Sequence, residues 1–402
     1  MINTYYRYKI SATFIYDNHI IDMPDESITA LVNNCDYNAY NMPILYLNFR
    51  VNSRLYDLMV TNANTTGRII LTIKKYDRST VSSLDRKMIE HEFSYIMPTD
   101  PDYHRPLDQL ELDKDRSEET YKVGTMALIG KDTMDDNSVA YNDIIKNSNL
   151  ISIVNKYTQH MNMVIEPFVN NEPINWIIIP PMSRITTLLK FLNDYCPFYD
   201  KGYRYFRDFG KTYLLSNSGN PVSDGSDIYN TVVINILDTS DPVSKSVGID
   251  IDKDRKAYVL TVDSLDTHMD IDIIRDKEYN TIVGISNTGE VIKMDLDTKN
   301  ANDKEKIYFH RTFDEGNTEY EVQNLKTEVD SSSVILQLTR TEMDSSILTP
   351  NKEYIVQNYR EFQEYNGRFI LVSKKEVYIQ QEDEFISNTL LVFKKVWGDT
   401  YM

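Results

Sequence analysis

The stretch ILYLNFRV at residues 44–51 alternates strictly between apolar and more polar side chains. Successive side chains of an extended strand point to opposite faces, so this alternation separates the residues into two sets. One face carries Leu45, Leu47, Phe49 and Val51, and the other carries Ile44, Tyr46, Asn48 and Arg50. The stretch therefore predicts a strand in a sheet, and we interpret the rest of the chain outward from it.

A short helix is predicted directly after this strand, with Ser53 as its N-cap. Its apolar stripe would consist of Leu55, Leu58 and Met59. The elements predicted next are a turn, NANTTG (62–67), and two strands, RIILTIKK (68–75) and KMIEHEFSYIM (87–97). Residues 1–98 therefore predict a first domain that is built mainly from strands.

The segment TDPDYHRPLDQLELDKDRSEET at residues 99–120 is polar, acidic and contains proline. This composition predicts an exposed linker between domains. The pattern beyond it changes to mixed α/β, and residues 121–227 predict a second domain.

The second domain begins with a predicted strand, YKVGTMALI (121–129). A helix is predicted at 149–161, where apolar residues recur at helical spacing: Leu150, Ile153, Val154, Tyr157 and Met161. Short strands follow at VIEPFV (164–169) and INWIIIP (174–180), and the second is continuously apolar, which predicts burial on both faces.

The strongest helix pattern of the chain is SRITTLLKFLNDYC, residues 183–196. Ser183 would cap it, and Pro197 would end it because proline cannot continue a helix. A hairpin is predicted next, from YRYF (203–206) and KTYLLS (211–216). The loop NSGNPVSDGSD (217–227) is rich in turn-forming residues and predicts the end of the domain.

Residues 228–402 predict a strand-rich C-terminal region. Its predicted strands are 231–237, 256–262, 269–274, 280–285, 291–296, 306–313, 333–339, 353–359, 368–373, 376–380 and 388–397. Such short strand spacing indicates antiparallel barrels or sandwiches. The sequence leaves open whether this region is one domain or is divided among the barrels. The predicted fold class is thus mainly β with a smaller α/β portion.

Composition narrows the function classes. The chain has 61 acidic and 43 basic residues, a formal charge of −18, and 29 tyrosines. Tight binding to a phosphate backbone needs clustered Lys and Arg, so this charge argues against it. An acidic wall could still surround DNA that passes through without being held. The charge is also explained by solubility alone.

No targeting segment is predicted, because the N-terminal sequence lacks a basic stretch followed by an apolar one. No membrane segment is predicted either, because no run of about 18 apolar residues occurs. The chain has only two cysteines, Cys35 and Cys196, and they lie far apart. A disulfide framework is therefore not expected. The sequence instead predicts folding in a reducing cytosol.

The sequence contains none of the common motifs for catalysis, cofactor binding or metal binding. We therefore predict no catalytic, cofactor-binding or metal-binding residues. The histidines lack the spacing of a zinc site: His19, His91, His104, His160, His268 and His310. Asp250, Asp252 and Asp254 match the first ligand positions of a calcium loop. The sixth position is Arg255 and the twelfth is Thr261, so a turn between strands is favoured. Neither glycine loops for nucleotides nor nucleophile elbows occur.

The order of features from about 121 to 215 resembles a known family. The order is a strand (YKVGTMALI), then a helix (NLISIVNKYTQHM), then a strand with an Asn-rich turn (VIEPFVNNEP). After these come an apolar strand ending in proline (WIIIPP), a Leu-rich helix (ITTLLKFLNDY) and a Tyr/Phe passage ending in YLLS. This order resembles the baseplate hub proteins of contractile-tailed phages. Those hubs are similar to the tail protein D family and to the hub half of type VI secretion spikes.

The resemblance implies antiparallel barrel-like domains of the phage tail-hub type, with the first barrel in residues 1–98. It implies a homotrimer whose two barrels per chain form a pseudo-sixfold ring between the tail tube and the central spike. The implied partners are the tail tube protein, the spike, the tape measure protein and neighbouring baseplate proteins. DNA would pass through the ring without specific binding. The chain would be made in the host cytoplasm and would reside in the virion, in the tail baseplate.

Other functions stay open on the sequence. One is a different baseplate or tail-tip protein, such as a wedge, tube-terminating protein or adhesin. Another is a cell-wall hydrolase of the tail, since two carboxylates at a suitable separation suffice for glycoside hydrolysis. The absence of a catalytic motif favours the structural role, and the sequence therefore predicts that the chain is not an enzyme.

Overall fold

A computed structural model provides the coordinates of the protein. It describes residues 6–37, 44–63, 66–77, 86–96, 121–131, 133, 141–159, 161–171, 173–182, 184–199, 202–208, 211–225, 228–236, 248–262, 266–268, 281–285, 291–295, 307–311, 335–341, 343, 345–357 and 366–396. The predicted linker at 99–120 and the strand predicted at 269–274 lie outside these residues.

The elements in the N-terminal half are β1 (Tyr6–Tyr16), β2 (His19–Asp22), β3 (Ile28–Asp36), β4 (Ile44–Asn52), α1 (Ser53–Asn62), β5 (Arg68–Asp77), β6 (Arg86–Ile96), β7 (Tyr121–Gly130), β8 (Tyr141–Ser148), α2 (Leu150–Thr158), β9 (Met163–Ile165), β10 (Ile174–Met182) and α3 (Ile185–Tyr195). Those in the C-terminal half are β11 (Tyr203–Asp208), β12 (Lys211–Ser216), β13 (Thr231–Ile236), β14 (Gly248–Asp252), β15 (Ala257–Val262), β16 (Asp266–His268), β17 (Thr281–Ile285), β18 (Val291–Asp295), β19 (Ile307–Arg311), β20 (Ile335–Thr341), β21 (Glu353–Gln357), β22 (Gly367–Gln381) and β23 (Glu384–Lys395). The predicted fold class, mainly β with a smaller α/β portion, is confirmed.

Eight strands form a closed antiparallel barrel. The hydrogen-bonded order is β22–β3–β4–β7–β6–β5–β1–β23, and β23 pairs back with β22. The predicted two faces of 44–51 are confirmed, because Leu45, Leu47, Phe49 and Val51 are buried inside this barrel. Closure removes the free strand edges that an open sheet would leave. The inward side chains make a first core.

A second sheet grows from the other halves of the same two long strands. Its order is β14–β15–β13–β21–β22–β23–β20–β16. The pairs of β13 with β15 and with β21 are parallel, so this sheet is mixed and not purely antiparallel as predicted. Its inward residues, among them Val232, Leu260, Tyr354 and Phe393, form a second core.

The smaller α/β portion covers the second sheet. The hairpin β11–β12, confirmed as predicted, pairs in parallel with β9. Its side chains alternate between cores: Phe206 and Tyr213 enter the second core, while Tyr205 and Leu214 enter a third. The third core also contains the apolar faces of α2 and α3 and one face of the two-stranded ribbon β8–β10. A separate three-stranded sheet consists of β18–β17–β19.

Two predicted helix boundaries require correction. The N-cap of α1 is Asn52, whose side chain accepts a hydrogen bond from the Leu55 N–H, so Ser53 is already inside the helix. The residue before α3 is Arg184, which makes no side-chain cap, and Ser183 lies outside the described residues. The third predicted helix, at 149–161, is α2; it begins after an Asn149 cap but ends at Thr158, so Met161 lies beyond it.

Three strand predictions also differ from the structure. The strand predicted at 164–169 ends at Ile165, because Pro167 has no N–H for a sheet ladder. The strands predicted at 368–373 and 376–380 are the single strand β22. Residues 174–180 are not buried on both faces, since Trp176 and Ile178 are more than half exposed.

The predicted domain boundaries stay predictions, but the pairing assigns individual strands. β7 hydrogen-bonds to β4 and β6, and its Met126 and Leu128 lie in the first core. This strand thus joins the first barrel by its hydrogen bonds although it follows the acidic segment in sequence. The C-terminal strands β22 and β23 contribute to both sheets.

Gly219, in the predicted boundary loop, provides a test of how tightly that loop is seated. Its φ is +72°, and an added Cβ would come within 2.8 Å of Ile370 and 3.0 Å of Val396. We expect Gly219→Ala to cost about 2–4 kcal/mol, from left-handed strain and overpacking together. The matched control is Gly225→Ala, where φ is +75° but nothing lies within 4 Å. It should cost only about 1 kcal/mol.

Urea unfolding followed by circular dichroism compares the two variants. Equal losses in the free energy of unfolding for the two variants would contradict the tight packing around Gly219.

Candidate functional site

A layer of polar side chains separates the first core from the second. It is visible along β3, where every second residue points inward. Leu31 belongs to the first core and Cys35 to the second, while the buried Asn33 lies between them. The inward face of this strand therefore changes from apolar to polar and back within five residues.

The two longest strands repeat this change at the same level. On β22, Tyr378 lies in the first core and Leu371 in the second, with the buried Lys374 and Glu376 between them. On β23, the buried Ser387 and Thr389 lie between Phe385 and Leu391 of the two cores. Register confirms the level, because Glu376 pairs with Asn33 on one side and with Thr389 on the other. We call these residues, together with the hydrogen-bonded groups where they meet the second core, the polar layer: Asn33, Cys35, Tyr37, Asp208, Ser345, Lys374, Glu376, Ser387 and Thr389.

Glu376 is the centre of one half of the layer. Its Oε2 accepts a 2.8 Å hydrogen bond from Asn33 Nδ2, and its Oε1 accepts one from the Ser345 hydroxyl. Lys374 Nζ lies 3.9 Å from Glu376 Oε2, and both side chains are almost fully buried. A buried carboxylate is tolerated only with such partners, because removing it from water costs several kcal/mol.

Asp208 of β11 is the centre of the other half. Its Oδ2 accepts a 2.8 Å hydrogen bond from the Tyr37 hydroxyl. The Cys35 thiol lies 3.7 Å from Asp208 Oδ1 and 3.2 Å from Asn33 Oδ1, so its single proton can go to either oxygen. Because Asp208 comes from the hairpin β11–β12, this contact ties the α/β portion to the junction of the two cores.

The electrostatics of the layer make its acidic hydrogens hard to remove. Burial, with the nearby Asp208 carboxylate, raises the pKa of the Cys35 thiol well above its usual range. Burial and the same carboxylate also raise the pKa of Tyr37. A reactive cysteine needs the opposite shift, since the thiolate is the nucleophile. The chemistry of this site is therefore hydrogen bonding that fixes strands in place.

A third buried carboxylate, Glu166, binds the boundary loop. It accepts a 2.7 Å hydrogen bond from the Ser216 N–H and a 3.2 Å bond from Asn220 Nδ2. Nearby, the buried Arg204 donates to the Leu371 carbonyl of β22 at 3.1 Å. Burial lowers the pKa of Arg204 to about 10. The Arg204 bond therefore anchors the α/β portion to the shared strand β22 at a second point.

The histidines that the sequence singled out do not converge in the described part of the chain. His19 is exposed beside Tyr16, with ring centroids 5.0 Å apart. His104 and His160 lie outside the described residues, as do the side chains of His91, His268 and His310. Among the described residues, no group of three or more His, Cys, Asp or Glu could hold a metal ion.

Cys196 and the acidic turn at 250–255 are the remaining candidates. Cys196 is partly buried against the third core and is a free thiol. Asp252 accepts hydrogen bonds from the N–H groups of Asp254 and Arg255, each at 3.0 Å, in the turn between β14 and β15. The predicted turn between strands is therefore found in the structure.

The polar layer was not predicted, although the sequence carries a signal for it. Asn33, Glu376 and Thr389 stand at inward positions of otherwise alternating apolar strands. A polar residue at a position that should face a core is normally satisfied by a buried partner. Three such positions in distant segments could have been paired only with the register, which the sequence does not give.

The chain was compared with known sequences and structures. The family described as Bacteriophage PBS1 gene 109 protein matches residues 2–396. Comparison with curated protein sequences finds no match. No described helix is long and apolar enough to cross a membrane.

Three solved structures are similar to this chain. A tail protein from Neisseria meningitidis MC58 has a TM-score of 0.53 at 9% identity, covering 96% of this chain and 98% of its own. The 43 kDa tail protein of prophage MuSo2 from Shewanella oneidensis has a TM-score of 0.52 at 10% identity, covering 95% and 96%. The E. coli c3393 protein, a type VI secretion component, has a TM-score of 0.44 at 9% identity, covering 93% and 74%. The first two likenesses show a shared fold, and the resemblance to phage tail proteins inferred from the order of elements is confirmed at this level.

The role of the polar layer can be tested on two adjacent residues. We expect Asn33→Ala to destabilise the protein by about 2–3 kcal/mol, because Glu376 then loses a donor inside the protein. Asn34→Ala is the matched control, since Asn34 is exposed on the same strand. It should change stability by no more than about 0.5 kcal/mol. Similar urea midpoints for the two variants would refute a structural role for the Asn33–Glu376 bond.

Alkaline pH provides a second test. A group whose pKa is raised by folding contributes stability below its ordinary pKa and loses it as pH rises, and the ordinary value for cysteine is about 8.5. We therefore expect the stability difference between the wild type and Cys35→Ser to stay constant around pH 7. Above about pH 9 the wild type should lose stability relative to the variant, because serine does not titrate there. Thermal unfolding at a series of pH values measures this, and a constant difference up to pH 11 would contradict the buried thiol.

Proposed function

This chain belongs to the family of the bacteriophage PBS1 gene 109 protein, and we propose that it is a structural component of a phage tail, the central hub of the baseplate. In this role it joins the tail tube to the spike and surrounds the channel through which DNA leaves. The coarser part of the proposal, a structural role in the tail, is supported by the fold that the chain shares with two tail proteins.

The observation that carries the finer proposal is the way one chain combines two sheets. The closed barrel and the second sheet share the hairpin β22–β23, so two strand-built units have a fixed relation within one chain. Three such chains would present six units around one axis. A ring of that kind matches a sixfold tube on one side and a threefold spike on the other.

The distribution of chemistry also fits a structural role better than an enzymatic one. In the described residues, the buried carboxylates of Glu376 and Asp208 accept hydrogen bonds from neighbouring side chains. The buried thiol of Cys35 is held protonated and has no access to solvent. We therefore propose that the protein works by assembly, without catalysis of its own.

Partners follow from this role. The tail tube protein would contact one face of the ring, and the spike the other, with the tape measure protein and DNA passing through the centre. Neighbouring baseplate proteins would contact the outside. The formal charge of −18 suits a conduit, because acidic walls repel the phosphates of DNA.

The location of the protein in the particle tests the proposal. Gold-labelled antibodies against the purified chain should mark the tail tip of the phage that encodes it, at the level of the baseplate. Cryo-electron microscopy of the same tails should show three copies around the central channel. Labelling along the whole tail or on the capsid would exclude the hub.

The same cryo-electron microscopy map should also show which residues line that channel. Acidic residues should outnumber basic ones on its wall, and a wall lined mainly by Lys and Arg would refute the proposed conduit.

A further inference from the structure

The ribbon β8–β10 has an apolar face that is exposed in the part of the chain that the structure describes. Its inward residues, such as Ile177 and Ile179, lie in the third core. On the outward face, Ile144, Trp176 and Ile178 are each more than half exposed. Ile178 is the direct register partner of Ile144, so these side chains form one continuous surface.

The sequence of this ribbon indicates that the outward face is normally covered. The run WIII within β10 is apolar at every position, a pattern typical of strands with both faces buried. The isolated chain buries only one face. A contiguous exposed apolar surface of this kind usually marks an interaction site.

The charges of the ribbon are unusual for so acidic a chain. Its described outward residues are Asn142, Ile144, Lys146, Trp176, Ile178 and Pro180. None is acidic, and the single charge is positive, although the whole chain has 61 acidic residues and a charge of −18. A second copy of this chain is also strongly acidic overall, so two copies repel each other least where both surfaces lack acidic residues.

A second surface of the same kind lies on the outside of the barrel, on strands β4 and β7. Tyr46, Tyr121 and Val123 are exposed there, at 40%, 50% and 55%. Arg50 lies over the ring of Tyr121, 5.0 Å from its centre. The outward residues of this face also lack acids: Tyr46, Asn48, Arg50, Tyr121, Val123, Thr125 and Ala127.

We propose that the outward face of β8–β10 binds the β4–β7 face of a second copy of this chain. Two different faces on one chain give a head-to-tail contact, which closes into a ring when the rotation permits. Together the two faces supply roughly 600 Å² of apolar surface, a large part of what a standard interface of about 1,600 Å² contains. The inference rests on the proposed function, and it names the surfaces by which the proposed ring assembles.

The test uses one substitution on each face of the full-length chain and a control elsewhere. Trp176→Glu and Val123→Glu should each convert the wild-type trimer into a monomer, measured by analytical ultracentrifugation. Ile228→Glu, at a residue that is 79% exposed and belongs to neither face, should leave the trimer intact. Thermal unfolding checks that each variant is folded, and Ile178→Lys or Tyr121→Ser replaces a variant that is not.

A mixture of the two monomeric variants distinguishes head-to-tail contact from other arrangements. The Trp176→Glu chain retains its β4–β7 face, and the Val123→Glu chain retains its ribbon. An equimolar mixture should therefore form a one-to-one complex that neither variant forms with itself. A mixture that stays monomeric would overturn the proposed pairing of faces.

The remaining outcomes separate this inference from the hub proposal. A trimer that persists in Trp176→Glu or in Val123→Glu overturns the interface and leaves the hub proposal standing. A wild-type chain that is monomeric at all concentrations also overturns the interface. The hub proposal is then decided separately, by the position of the protein in the tail.

Discussion

The hydrogen bonding of the hairpin β22–β23 is the constraint on which the rest of the structure depends. The two strands pair with each other from Phe369 to Gln381, through one register shift. Near the turn, they close the barrel by pairing with β3 and β1. Farther from the turn, they form the middle of the second sheet by pairing with β21 and β20. Neither sheet is complete without this hairpin, so the two units cannot move apart without breaking strand ladders.

The polar layer explains how one hairpin can serve two cores without slipping. A shift of one residue along a strand moves every side chain to the opposite face. At the layer, such a shift of β3 would expose Asn33 and leave Glu376 Oε2 buried without the Asn33 donor. Removing a hydrogen-bond partner from a buried carboxylate costs more than exchanging one apolar residue for another in an apolar core. Polar residues at the boundary thus specify the register more strongly than further apolar residues would.

Rigidity at this junction suits a protein that works by assembly. Asp208 and Arg204 bind the α/β portion to the same junction, through Tyr37 and through the Leu371 carbonyl. The outward faces of β8–β10 and β4–β7 are therefore held in a fixed relation through hydrogen-bonded strands. The ring proposed above would require such a relation, because its faces must meet neighbouring copies at a constant angle. The same frame leaves the apolar surfaces of the chain on its outside, where neighbours can bind.

The sequence by itself determined the types of element and their faces. Alternation at residues 44–51, the apolar stripes of α2 and α3, and the hairpin at 203–216 are local patterns with periods of two or 3.6, and each is found in the structure. Local contacts also position the helix caps. Asn52 and Ser53 are both good capping residues, however, and only the three-dimensional structure shows that Asn52 is the cap.

The tertiary structure alone decided which strands are neighbours. Asn33 and Glu376 are 343 positions apart, and no period in the sequence connects them. An alternating pattern indicates which face of a strand is buried but carries no information about its partner, so barrel closure and the polar layer could not be predicted. The run at 174–180 illustrates the same limit, because there the sequence predicts more burial than the structure shows. Its apolar residues specified two buried faces, but the single chain covers only one of them, because burial depends on every surface that is brought into contact.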